Sequence, residues 1–160
     1  MHTVELTVDD ALDAQVRSVW QRLHAAGLPS LATHRHPTNR PHLTLAAADR
    51  LTPEVTGALA GLPVEAVLDG LIFFERAVVW RVMATDALRD LQAEVWRALT
   101  GTERNPQHAP GSWVPHVSLA LRARDHARYA AELGDLPVAR GRFVQARTYD
   151  SQTRTVTEVN

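Results

Sequence analysis

Apolar positions along this chain keep two rhythms. Between Val4 and Val8 they alternate one in two, the period of a strand with one buried face. From Leu12 through Val16, Val19, Trp20 and Leu23 they recur every three or four places, the period of a helix with an apolar stripe. Asp9 or Asp10 is placed to cap that helix, and Gly27 to end it. Pro41-His42-Leu43-Thr44-Leu45 alternates again as a strand. Thr52-Pro53-Glu54 reads as an N-cap with proline in the first turn of a short helix to about Leu62, and Val64 to Phe74 as a third strand.

The same five elements then recur. Val78 to Met83 reads as a strand, and Asp86 as the cap of a helix that turns Leu88, Leu91, Val95 and Leu99 inward. Pro115-His116-Val117-Ser118-Leu119 is a second short alternating strand. Asp125 caps a helix ending near Gly134, and Val138 to Tyr149 is a long strand. A last strand, Thr153 to Val159, is expected to pair back across the two halves.

Sliding the sequence on itself by 74 residues superposes Val4 on Val78, Gly27 on Gly101, His34 on His108, Pro41 on Pro115, Leu45 on Leu119 and Pro63 on Pro137, without a gap. The matches fall on strand residues and on the turns that end elements, which points to duplication. The expected fold is α+β: two pseudo-symmetric lobes of mostly antiparallel sheet, with helices outside and a cleft between them. One bilobal domain over 1–160 is expected, with repeats at about 1–74 and 75–148 and the final strand at 153–159.

Composition narrows the partners. A chain of 160 residues, 45% hydrophobic and 22% charged, can bury a core of its own. All 17 basic residues are arginines, yet the net charge is -1, so no global field draws in long nucleic acid and any polyanion contact must be local. The chain has no cysteine, which excludes disulfides, thiol nucleophiles and Cys-ligated zinc. Acids at Glu5, Asp9 and Asp10 and the lack of a long apolar run make the N-terminus read as neither signal peptide nor anchor. A cytoplasmic protein with no membrane partner is expected, and a monomer.

The chemistry lies in the two short strands. Strand alternation puts His42 and Thr44 on one face and Leu43 and Leu45 on the other, and it separates His116 and Ser118 from Val117 and Leu119 in the same way. Each is half a site, and joined they hold two imidazoles and two hydroxyls. An H-x-[ST]-L tetrad occurring twice at matching places of a repeat resembles the two-histidine phosphoesterase superfamily. The closest group is the bacterial one named after 2′-5′ RNA ligase and RNA 2′,3′-cyclic phosphodiesterase. Serine in the second tetrad departs from the commoner threonine but keeps the hydroxyl donor.

The resemblance covers nearly the whole chain. It implies tetrads facing each other across a central cleft, and metal-independent cleavage of a 2′,3′-cyclic phosphate on RNA or a nucleotide, with the 3′ oxygen leaving to give a 2′-phosphate. It also implies the reverse chemistry, 2′-5′ ligation. Which histidine is acid and which is base is not legible in the residues. By the resemblance, His116 is the base and His42 the acid. Neither a cofactor nor a metal is expected, since His34 and His36 at i, i+2 match no usual zinc spacing.

For substrate binding, strand parity from His116 carries Arg122 back to the catalytic face, and it becomes the first choice for a phosphate-binding arginine, with Arg40 and Arg124 as alternatives. Trp113, in the loop before the second tetrad, is placed to stack on a base. Trp20, Trp80 and Trp96 suit core packing. The competing functions are a 2′-5′ oligonucleotide phosphodiesterase, an enzyme for another small cyclic phosphate, or a non-catalytic module that holds nucleotides or RNA ends.

Overall fold

Val4, Leu6 and Val8 are fully buried on one face of the first strand, and Glu5 and Thr7 on the other face are buried as well, so the strand forms as its alternation predicts but is covered on both sides. In the computed structural model, which describes residues 1–159, seven strands and four helices alternate. The first half comprises β1 (His2–Val8), α1 (Asp10–Ala25), β2 (His42–Ala48), α2 (Glu54–Ala58) and β3 (Val64–Phe74). The second comprises β4 (Ala77–Val82), α3 (Asp86–Ala98), β5 (His116–Leu121), α4 (His126–Leu133) and β6 (Ala139–Asp150), followed by β7 (Thr155–Val159).

Every strand pair is antiparallel. The third strand of each half leaves its own pair and joins the other half. β3 runs beside β4, and β6 runs beside β1 over most of its length. One lobe is therefore β2-β1-β6 and the other β5-β4-β3, joined where the start of β6 pairs with β3. On the far side the lobes meet at one bridge, Leu43 with Val117 of β2 and β5. β7 is the hairpin partner of β6 alone; the expected pairing across the halves is not made, because β6 already carries that role.

Helix packing crosses over as well. α1 lies on β1, β5 and β6, and α3 on β2 and β3, burying Leu12, Val16, Val19, Trp20 and Leu23 in the first case and Leu88, Leu91 and Val95 in the second. Gly27 and Gly101 close these helices with φ of 76° and 88°, a conformation that glycine adopts without strain.

The caps differ from expectation in two places. Thr85, not Asp86, caps α3, its hydroxyl accepting from Leu88 N–H at 3.2 Å. Thr52 does not cap α2, because its hydroxyl donates instead to Ala98 O at 2.6 Å and ties the α2 turn to the end of α3. Asp9 caps α1 and does more. Its Oδ1 accepts from Leu12 N–H at 2.9 Å and its Oδ2 from Arg142 N–H at 2.6 Å, bolting the helix to β6. A Cβ at Gly141 would meet that Oδ2 at 2.5 Å, so the close approach requires glycine.

Candidate active site

Residues on either side of the Leu43–Val117 bridge share the face opposite those two apolar side chains. Antiparallel geometry sets His42 beside Ser118 and Thr44 beside His116, so all four tetrad side chains ring one bridge. Ordinary strand spacing puts the two histidine Cα atoms on the order of 8 Å apart, room for a phosphoryl group between their rings. All four are half-buried, whereas Leu43, Leu45, Val117 and Leu119 are buried in the core.

The two imidazoles are held alike. His42 Nδ1–H donates to Arg40 O at 2.8 Å, and His116 Nδ1–H donates to Val114 O at 2.7 Å. A ring nitrogen this close to a carbonyl carries the proton, so in each neutral ring Nε2 is the basic nitrogen. Burial pushes His116 below its ordinary range; the bond to Val114 O works against this, and the charge of His42 lowers it further. Burial, and then His116, lower His108 likewise.

Backbone carbonyls around the bridge are capped across the lobes. Trp20 Nε1–H of α1 donates to Ser118 O, and Trp113 Nε1–H donates to Thr44 O, each at 3.0 Å. The Trp113 indole is tied to the first motif strand and its half-buried ring packs against the core, a structural role that the sequence reading did not foresee. Trp20 and Trp80 are buried as expected, but Trp96 is half-exposed, with the Arg104 guanidinium 4.1 Å from its ring centre.

Both motif strands bulge at the leucine of the tetrad. Val4 faces Ala46 while Glu5 faces Thr44, which leaves Leu45 extra; Val78 faces Ala120 while Val79 faces Ser118, which leaves Leu119 extra. The bulge resets alternation, and Leu119 and Ala120 are consecutively buried. Parity from His116 therefore does not reach Arg122, which follows the end of β5 with φ of 55° and is exposed. The parity argument for Arg122 falls with it. Arg40 does stand near His42, supplying the carbonyl for its Nδ1, while its own guanidinium lies 3.5 Å from Asp13.

Two charged residues missed by sequence reasoning sit against His42. Glu5 and Arg147 are neighbours on β1 and β6, with Arg147 Nε–H donating to Glu5 Oε2 at 2.8 Å. Glu5 Oε1 lies 3.7 Å from His42 Nε2 and accepts from Thr3 Oγ1–H at 2.8 Å. Arg147 Nη1–H donates to Thr38 O at 3.0 Å, and its Nη2 stands 3.3 Å from His42 Nδ1. An acid in the middle of an apolar strand was the only sequence signal for Glu5. Arg81, also missed, is the register partner of His116 and donates Nε–H to Asp69 O at 3.0 Å.

Hollows flank the bridge on both sides. One of about 240 Å³ on the His42 side is lined by Arg17, Arg40, Arg147, Thr38 and Asn39 among others. One of about 490 Å³ on the His116 side is lined by Phe74, Gln107, His108, Ser112, Val114 and His116, with the Phe74 ring edge-on to His116 at 5.3 Å. Among the described residues no three His, Asp or Glu side chains converge in a metal-ligand group.

Such a pair of strands, repeated and face to face, has counterparts. A family model described as the 2′-5′ RNA ligase superfamily matches residues 8–144. The chain belongs to that superfamily. Its fold matches solved two-histidine phosphoesterases at low sequence identity. The MHV ns2 PDE domain is 15% identical with a TM-score of 0.63, covering 99% of this chain and 98% of that one. E. coli LigT complexed with 3′-AMP is 16% identical with a TM-score of 0.55, covering 99% and 94%. Usb1 of Kluyveromyces marxianus is 12% identical with a TM-score of 0.53, covering 99% and 96%. No curated protein matches the chain. As a member of this superfamily the protein is a phosphoesterase acting on RNA or nucleotides, and among its described residues no helix is long and apolar enough to cross a membrane.

Proposed function

We propose that this superfamily member hydrolyses the 2′,3′-cyclic phosphate of an RNA end or nucleotide to a 2′-phosphate, with His42, Thr44, His116 and Ser118 as the catalytic group. The observation that carries the reading is the ring of two imidazoles and two hydroxyls around the Leu43–Val117 bridge, each imidazole with its Nδ1 proton fixed on a carbonyl.

Neutral His116 takes a proton from water at Nε2 as the water oxygen bonds to phosphorus. The bond from phosphorus to the ribose 3′ oxygen breaks in line, and His42 Nε2–H gives its proton to that oxygen. Water is consumed, a 2′-phosphomonoester and a 3′-hydroxyl are formed, and the two rings end with exchanged protonation. Thr44 and Ser118 hydroxyls donate to the non-bridging oxygens, where charge accumulates. The assignment of base to His116 follows its surroundings, since burial against Phe74 favours the neutral ring.

Run in the same direction with an RNA 5′-hydroxyl in place of water, the same groups would open the cyclic phosphate into a 2′-5′ linkage, with the 3′ oxygen again leaving. LigT complexed with 3′-AMP or ATP, and Usb1 with uridine monophosphate, support a nucleotide or RNA end in the cleft. The test is incubation of the protein with EDTA and each nucleoside 2′,3′-cyclic phosphate, with the 2′ and 3′ products separated. Formation of the 2′-phosphate supports the reading. A 3′-phosphate product, or turnover that requires added metal, refutes it.

A further inference from the structure

Duplication supplies an internal comparison. Each lobe has a first strand on which one cleft-side position is flanked by the motif hydroxyl on one side and by the swapped long strand on the other. In the first lobe that position is Glu5, between Thr44 and Arg147. In the second it is Val79, between Ser118 and Ile72. The fold thus builds the same corner from two apolar side chains in one lobe and from a buried ion pair in the other.

Glu5 is 4% exposed and Arg147 7%. Taking both charges out of water is costly, and an apolar pair of similar size commonly serves the fold as well or better. Val79, 1% exposed, shows that the corner packs without charge. What distinguishes the first lobe is its histidine. The Glu5 carboxylate stands 3.7 Å from His42 Nε2, whereas the ring of His116 has Phe74 against it.

We infer that Glu5, locked by Arg147, is a positioning residue that answers the charge of protonated His42 and so fixes His42 as the proton donor to the leaving oxygen. At 3.7 Å the carboxylate is beyond hydrogen-bond range, so it faces the ring without capturing the Nε2 proton. Its oxygens are occupied by Thr3 and Arg147, which keep it from swinging closer. The charged and titratable groups facing His42 are Glu5 on β1, Arg147 on β6 and His116 on β5, with Arg40 at the foot of β2. Arg147 approaches His42 from the Nδ1 side, with Nη2 at 3.3 Å, whereas the Glu5 carboxylate faces the Nε2 that gives up the proton. In the second lobe Val79 offers no such answer, which leaves His116 as the base.

This rests on the hydrolytic reading above, and the leaving group separates the two. A ribose oxygen needs a proton in order to leave, while 4-nitrophenolate does not. Glu5→Gln keeps the shape and removes the charge, and Glu5→Gln with Arg147→Met removes both charges, guarding against an unpaired arginine that unfolds the site. On a nucleoside 2′,3′-cyclic phosphate both variants should lose about tenfold to a hundredfold in kcat, a share of what general acid catalysis contributes. On a nucleoside 3′-(4-nitrophenyl phosphate) the loss should stay under about threefold, as it should for His42→Ala. Equal losses on both esters, or no loss on either, overturn the inference while hydrolysis stands. A wild-type protein that cleaves neither compound overturns the hydrolytic reading and this inference with it.

Discussion

The field of His42 reaches His116 and lowers it, adding to the effect of burial. Only rings that share a cleft do this. Both keep their Nδ1 protons on the carbonyl two residues back, so the tautomer of one repeats in the other. Like rings in unlike surroundings allow one to begin neutral while the other begins charged.

The pH dependence follows from the sign of that shift. His116 must be neutral to act as base, and its folded value lies below the ordinary 6.5. The rising limb of kcat/KM should therefore fall below about pH 6.5, and activity should persist into mildly acid solution. Replacing Phe74 by serine lets water reach the ring and should move that limb upward. A pH–rate profile of the two proteins checks this.

Stability should show the same direction. His108 and His116 both have lowered values, so the unfolded chain binds protons more readily than the folded one as pH falls below about 6.5. Their contribution is complete above that pH and is lost as pH falls through the folded values. Urea midpoints at pH 7 and pH 5 should differ in the wild type, and differ less in His108→Leu.

Asp9→Ala should be costly for a surface cap. It frees Leu12 N–H and Arg142 N–H together and unbolts α1 from β6, so a loss of about 2 kcal/mol is expected in denaturant unfolding, above the typical ~1 kcal/mol for a cap alone.

Trp113→Phe separates a structural role from a stacking one. The ring that a base would need is kept, and only the N–H to Thr44 O is lost. Melting should report a loss of about 1 kcal/mol, with KM for a nucleotide substrate changed little beyond what the destabilised strand explains.

Much of this was legible in the residues. The strands and long helices fell where apolar spacing put them, because a one-faced strand and a striped helix leave strong local signatures. The two tetrads stood out for the same reason, and the fold brings their four polar side chains around one bridge. Arg122 went astray because alternation was extended through Leu119, where both Leu119 and Ala120 turn into the core, and no residue type announces that bulge. Glu5 and Arg147 lie 142 residues apart and meet only because β6 crosses to β1. Such a meeting is a product of topology, to which local pattern is blind. The caps at Thr85 and Thr52 turned on which of several adjacent polar residues wins a backbone N–H, a choice settled by packing of the helix end.

The central claim is that one phosphorus is worked by two imidazoles, and it is tested most directly by turnover of a nucleoside 2′,3′-cyclic phosphate in His42→Ala and His116→Ala. With both variants folded by circular dichroism, each should fall by at least about a hundredfold in kcat, with the double variant little worse than either. Near-wild-type turnover in either single variant would contradict the account.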